Sequence, residues 1–99
     1  MSLYVRIHIL LVYFENKNYF RLAKETNELL TKEFYKDKYE YISKAWKSDL
    51  NKIIQHKILH YLKTDKKSKN KSTKDIKDIE DCIEALKKLQ KEILRLREV

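Results

Sequence analysis

A chain of 99 residues with 23 Lys+Arg against 15 Asp+Glu, a net charge of +8, and neither glycine nor proline has room for one domain and one modest core. Without glycine it cannot build a phosphate-cradling P-loop, a dinucleotide-binding fingerprint or a nucleophile elbow. A single cysteine excludes a disulfide framework and any zinc site made of several thiolates, so the composition is that of a soluble, all-α domain.

The first element is the apolar run Leu3–Phe14, LYVRIHILLVYF. As a strand it would line up Leu3, Val5, Ile7, Ile9 and Leu11 on one face, but no later segment reads as its partner. A helix is the better fit, apolar nearly all round and therefore either central or at an interface. Arg6 and His8 inside it, with no basic stretch before it, argue against a secretory signal. Twelve residues are also too few to cross a bilayer, so a cytoplasmic protein is expected.

Asn18 is a natural N-cap for a second helix that buries Tyr19, Phe20, Leu22, Ala23, Leu29, Leu30 and Phe34. Lys36–Asp37 is where that helix could end, with Asp37 and Glu40 as a variant capping box for the next one, although a single continuous helix is also open. The third helix carries Tyr35, Tyr39, Ile42, Trp46, Leu50, Ile53 or Ile54, Ile58, and Tyr61 or Leu62 at steps of three or four. Glu40–Lys44 would add an i,i+4 pair to it.

Half of the positive excess then falls on Thr64–Lys74, TDKKSKNKSTK, which has no apolar side chain and reads as a solvated, mobile linker within the single domain. Ser72 and Asp75 form the next capping pattern. The last helix is acidic at its start and basic near its end, complementing its dipole. Ile79, Cys82, Leu86, Leu89, Ile93 and Leu96 make a heptad seam along it, widened by Ile76 and Ile83. That seam suits either a three- or four-helix bundle or a coiled coil with a partner.

No constellation points to catalysis or to a cofactor. His56 and His60 stand four apart on one helical face, but zinc needs at least one further ligand, so no metal site is expected. Cys82 lies among Asp78, Glu80, Asp81 and Glu84, whose charge disfavours a thiolate. The carboxylates are scattered beside lysines as ordinary surface pairs, Glu84–Lys88 among them. The aromatic residues Tyr35, Tyr39 and Trp46 are expected in the core, with Tyr4, Tyr13 and Tyr41 nearer the surface.

Two functions remain, both non-catalytic. The first is a protein–protein interaction or assembly module, self-associating through Leu3, Tyr4, Ile7, Leu10, Leu11 and Phe14, or through Leu89, Ile93 and Leu96 on the last helix, because the N-terminal segment carries more apolar surface than a small bundle easily hides. The second is sequence-nonspecific nucleic-acid binding through Lys63, Lys66, Lys67, Lys69, Lys71 and Lys74. Lysine supplies 19 of the 23 cations, a point charge suited to phosphate and not to bidentate base readout.

In composition alone, rich in Lys, Ile and Tyr without Gly or Pro, the chain resembles the small helical proteins of archaeal filamentous viruses. An AT-rich cellular or phage genome would leave the same trace. The viral resemblance implies a host-cell cytoplasm or virion setting and a binding or structural role.

Overall fold

The computed structural model describes all 99 residues as a bundle of four helices with one minimal parallel sheet. Helix α1, Leu3–Glu15, starts where Ser2 Oγ accepts from the Val5 N–H at 3.2 Å. The N-terminal run is therefore helical, as the want of a strand partner requires. Leu3, Ile7, Leu10 and Phe14 form its buried stripe. Helix α2 (residues 19–34) is α-helical over Tyr19–Leu29 and widens into a π-helical turn over Leu30–Phe34, with Asn18 Oδ1 capping it through the Arg21 N–H. Phe20, expected inside, is 59 % exposed, because Tyr19, Leu22, Ala23, Thr26 and Leu29 already complete the inward stripe.

Glycine normally supplies the left-handed residue that ends a helix; here Lys17 and Asp37 do so, at φ 57° and 55°. Both make the same pair of closing bonds. Lys17 N–H reaches the Phe14 carbonyl and Asn18 N–H the Tyr13 carbonyl; Asp37 and Lys38 repeat this on Phe34 and Glu33. Asp37 therefore closes α2 and does not open a capping box with Glu40. The chain then runs extended through β1, Tyr41–Ile42, and helix α3 begins only at Lys44, where Ser43 Oγ accepts from the Trp46 N–H at 3.1 Å.

This later start corrects the aromatic assignments. Tyr35 falls outside any helix and is 56 % exposed, Tyr39 is half-buried in the connection, and Trp46, on the first turn of α3, is 44 % exposed. The Glu40–Lys44 pair does not form, since Glu40 precedes the helix.

Helix α3 (residues 44–66) is α-helical over Lys44–Lys52, π-helical over Ile53–Leu59 and α-helical again over His60–Lys66, burying Leu50, Ile53, Ile54, Ile58, Leu59 and Leu62. Thr64–Lys66, placed in the lysine-rich linker by composition, continue this helix. Helix α4, Thr73–Arg95, is capped by Ser72 Oγ accepting from the Asp75 N–H at 3.1 Å. Beyond it β2, Arg97–Glu98, pairs parallel with β1 in the register Tyr41↔Arg97 and Ile42↔Glu98.

Each helix packs on two others: α1 on α2 and α3, and α4 on α2 and α3, the α2–α4 contact being the largest. All six residues of the α4 seam are buried inside this one chain. The seam thus meets the chain's own helices, not a partner. A heptad pattern fits antiparallel bundle packing as well as a coiled coil, which is why spacing alone leaves the two unseparated.

Candidate functional site

Of the nine residues expected at an interface, Leu3, Ile7, Leu10, Phe14, Leu89, Ile93 and Leu96 lie in the core, and Tyr4 and Leu11 are half-buried against it. The bundle absorbs the inward face of α1 completely. Its outward face keeps Val5 and Val12 at 46 % and 51 % exposure, one heptad apart, with no charge on either.

The linker lysines divide into two sets. Lys66 lies 4.0 Å from Glu80, Lys74 lies 3.8 Å from Asp78, and Lys71 Nζ donates to the Tyr19 hydroxyl at 3.2 Å. Lys63, Lys67 and Lys69 are exposed with no carboxylate within reach. Tyr19 in turn donates to Asp65 Oδ2 at 2.7 Å, and Lys17 Nζ reaches the same oxygen at 3.0 Å. Burial pushes the Asp65 carboxyl up, but the Tyr19 and Lys17 hydrogen bonds outweigh it and hold the group below the usual carboxylate range. Burial, then Asp65, drives the Tyr19 phenol the other way, so Tyr19 stays neutral. This cluster ties both ends of the linker to α2.

Helix α3 gathers the free charge. Every fourth residue from Lys44 (Lys44, Ser48, Lys52, His56, His60 and Thr64) is exposed. In a uniform α-helix four steps overshoot a full turn by about 40°, so such a row would wind around the axis. The wider π turns of Ile53–Leu59 advance less per residue and undo that drift. The row stays straight along the solvent face, with Lys57, Lys63 and Lys67 beside it.

Across the groove, Gln90 Nε2 on α4 donates to Asn51 Oδ1 at 2.8 Å and to Gln55 Oε1 at 3.0 Å. These bonds lock α4 against α3 and set the exposed, unpaired Lys87 and Lys91 alongside the row. Asp49 is the only carboxylate on α3 outside an ion pair; Asp65 is held by Lys17. Lys44, Lys52, Lys57, Lys87 and Lys91 were missed in the sequence because the row is visible only once the π segment is known.

Of the buried side-chain polar atoms, His8 Nε2 and Glu33 Oε2 make no hydrogen bond, and Glu33 Oε2 faces Arg6. Glu33, with its side chain 8 % exposed, receives Lys38 at 2.7 Å, the Tyr39 hydroxyl at 3.2 Å and Arg6 at 3.5 Å. Burial raises this carboxyl, but those three partners together bring it below its ordinary value. Burial and then Glu33 push the Tyr39 phenol up to about 12. Cys82 is fully buried, donates to the Tyr19 carbonyl at 3.0 Å, and is pushed up to about 12 by burial and then by Asp78. No three His, Cys, Asp or Glu side chains come together, and His56 and His60 are simply exposed on the α3 row. No helix is long and apolar enough to cross a membrane.

At the end of the bundle where α3 begins, an open cleft of about 430 Å³ is walled by Ser2, Tyr39, Tyr41, Ile42, Ser43, Trp46 and the C-terminal Val99, with Leu3 behind. Comparison with protein-family models, with curated proteins and with solved structures returned no match.

Proposed function

We propose that the protein is a non-catalytic helical module that holds nucleic-acid backbone without sequence preference on the α3 face. The observation that carries this reading is the straight exposed row on α3, with Lys44, Lys52, Lys63 and Lys67 free of carboxylates and Lys87 and Lys91 beside it. Lysines on such a row neutralise successive phosphates and release counterions, which gives affinity without readout of bases. The site expected on the linker thus moves onto α3 and α4, keeping Lys63, Lys67 and Lys69 and losing Lys66, Lys71 and Lys74 to internal partners.

Fluorescence anisotropy with labelled DNA tests it. Micromolar affinity at about 50 mM salt is expected, falling about a hundredfold by about 200 mM if four phosphates are neutralised. Absence of binding at the lower salt would overturn the reading.

A second reading, self-association as an assembly module, is favoured by the uncharged outward face of α1, where Val5 and Val12 remain exposed. It predicts a dimer or larger species by light scattering at micromolar concentration, lost in Val5→Glu/Val12→Glu. A monomer throughout that range excludes it.

A further inference from the structure

We infer that the nucleic acid on this face is single-stranded, with one unpaired base entering the cleft beside Trp46; the inference rests on the backbone-binding reading above. Three aromatic side chains, Tyr39, Tyr41 and Trp46, share the cleft wall. Trp46 is held on one side by the Tyr4 ring, centroids 5.0 Å apart at 37°, while 44 % of its surface stays open. Tyr41 is 55 % exposed. A ring supported on one side and open on the other is a platform for a base, ordered before the base arrives.

The charged row begins at the residue that follows the cleft wall. Ser43 stands in that wall and Lys44, the next residue, is the first cation of the row. A strand that leaves its base in the cleft therefore meets a free cation at the adjoining phosphate and runs on toward Lys52, Lys63 and Lys67. At the far end Tyr61 repeats the arrangement. Its ring is 51 % exposed and is backed by Phe14, centroids 6.5 Å apart at 29°.

The chemistry of the wall also sets what is read. Of its four hydroxyls, Ser2 and Ser43 accept a capping hydrogen bond from their own helices and Tyr39 donates to Glu33, which leaves the Tyr41 hydroxyl free. The cleft thus offers shape and π surface, which every base can use, and little hydrogen-bond discrimination. A duplex keeps its bases stacked and paired, so it can reach the lysine row but not the cleft.

Trp46 is the only tryptophan, so its emission reports the cleft directly. The test titrates the full chain with a homopyrimidine strand of about 15 nucleotides and with the matching duplex, following both anisotropy and Trp46 emission. The strand should quench Trp46 and bind about tenfold more tightly than the duplex. Tyr41→Ala should weaken the strand about tenfold and leave the duplex unchanged; Tyr41→Leu, which keeps bulk and loses the π face, should do the same if the alanine variant is unstable. Lys52→Glu/Lys63→Glu should weaken both.

Equal affinity for strand and duplex, both lost in Lys52→Glu/Lys63→Glu and neither altered at Tyr41, would overturn the inference and leave backbone binding standing. No binding of either would remove backbone binding itself. Quenching of Trp46 by the protein's own concentration, with no response to the strand, would assign the cleft to a second copy and overturn the inference.

Discussion

Two faces of the bundle treat charge in opposite ways. On α2 and the outer side of α4, lysines and arginines stand three or four residues from carboxylates: Arg21–Glu25, Lys74–Asp78, Lys77–Asp81, Glu84–Lys88 and Glu92–Arg95, at 3.2 to 3.8 Å. On α3 no ion pair forms within the helix; its paired groups, Lys47, Asp65 and Lys66, all reach outside it. A net charge of +8 therefore describes neither face well. One is close to neutral by local pairing, and the other carries uncompensated cations. What separates them is the placement of acids three or four residues away, which pairs the cations on the outer side of α4 and leaves those of α3 alone.

The contrast can be probed in order of effect. Both faces rest on the same core, so Leu86→Ala, at a fully buried position on α4, should destabilise the whole chain by about 2–5 kcal/mol, with the helices melting together in a denaturant titration. If the α3 signal survived while α4 melted, the two faces would be separate folding units. Next in size, Lys52→Glu/Lys63→Glu should lower affinity for DNA about a hundredfold. The matched double reversal Lys77→Glu/Lys88→Glu, on the paired face, should change it by less than about threefold. Equal losses in the two variants would mean that total charge, and not its placement, governs binding.

Acid sharpens the comparison from the stability side. Glu33 and Asp65 have folded pKa values held below their ordinary ones, so the unfolded chain binds protons first. Their contribution is complete above the ordinary carboxylate pKa of about 4 and is lost as pH falls through the lower folded values. Glu33→Gln should cost about 1–3 kcal/mol at neutral pH and flatten the acid limb of the stability curve. A curve unchanged between pH 7 and about 3 would contradict the pairing. The smallest effect has the opposite sign. Asp37 sits at φ 55° with its side chain doing no capping, so Asp37→Gly should raise stability by about 0.5–1 kcal/mol in the same titration.

Much of this architecture was legible in the residue pattern, because buried stripes at steps of three and four survive any tertiary arrangement. The seam from Ile79 to Leu96 is buried at each of its six positions, and Asn18, Ser72 and the inward stripe of α1 do what their chemistry suggests. The failures share one cause. Phe34 to Ser43 contains no glycine or proline, so nothing in the sequence marks the break there, and the apolar period was carried across it onto Tyr35, Tyr39 and Trp46. The break is made by Asp37 in a left-handed conformation, which that residue type accepts but does not announce. The lysine row was hidden for a related reason: π turns leave no mark in composition, and a helix assumed to be uniform scatters Lys44, His60 and Lys67 around its axis.

The π segment of α3 also governs how this chain tolerates change in length. Losing one residue between Ile53 and Leu59 would let ordinary α-helical turns close with nearly the same phase downstream, whereas α-helical bonding at unchanged length would rotate everything downstream by roughly a third of a turn. Leu62 would leave the core while Lys63 and Lys67 swung out of line with Lys44 and Lys52. Loss of the π turns without a compensating deletion is thus penalised twice, once in packing and once in surface charge. A one-residue deletion is the change of length that this stretch can absorb.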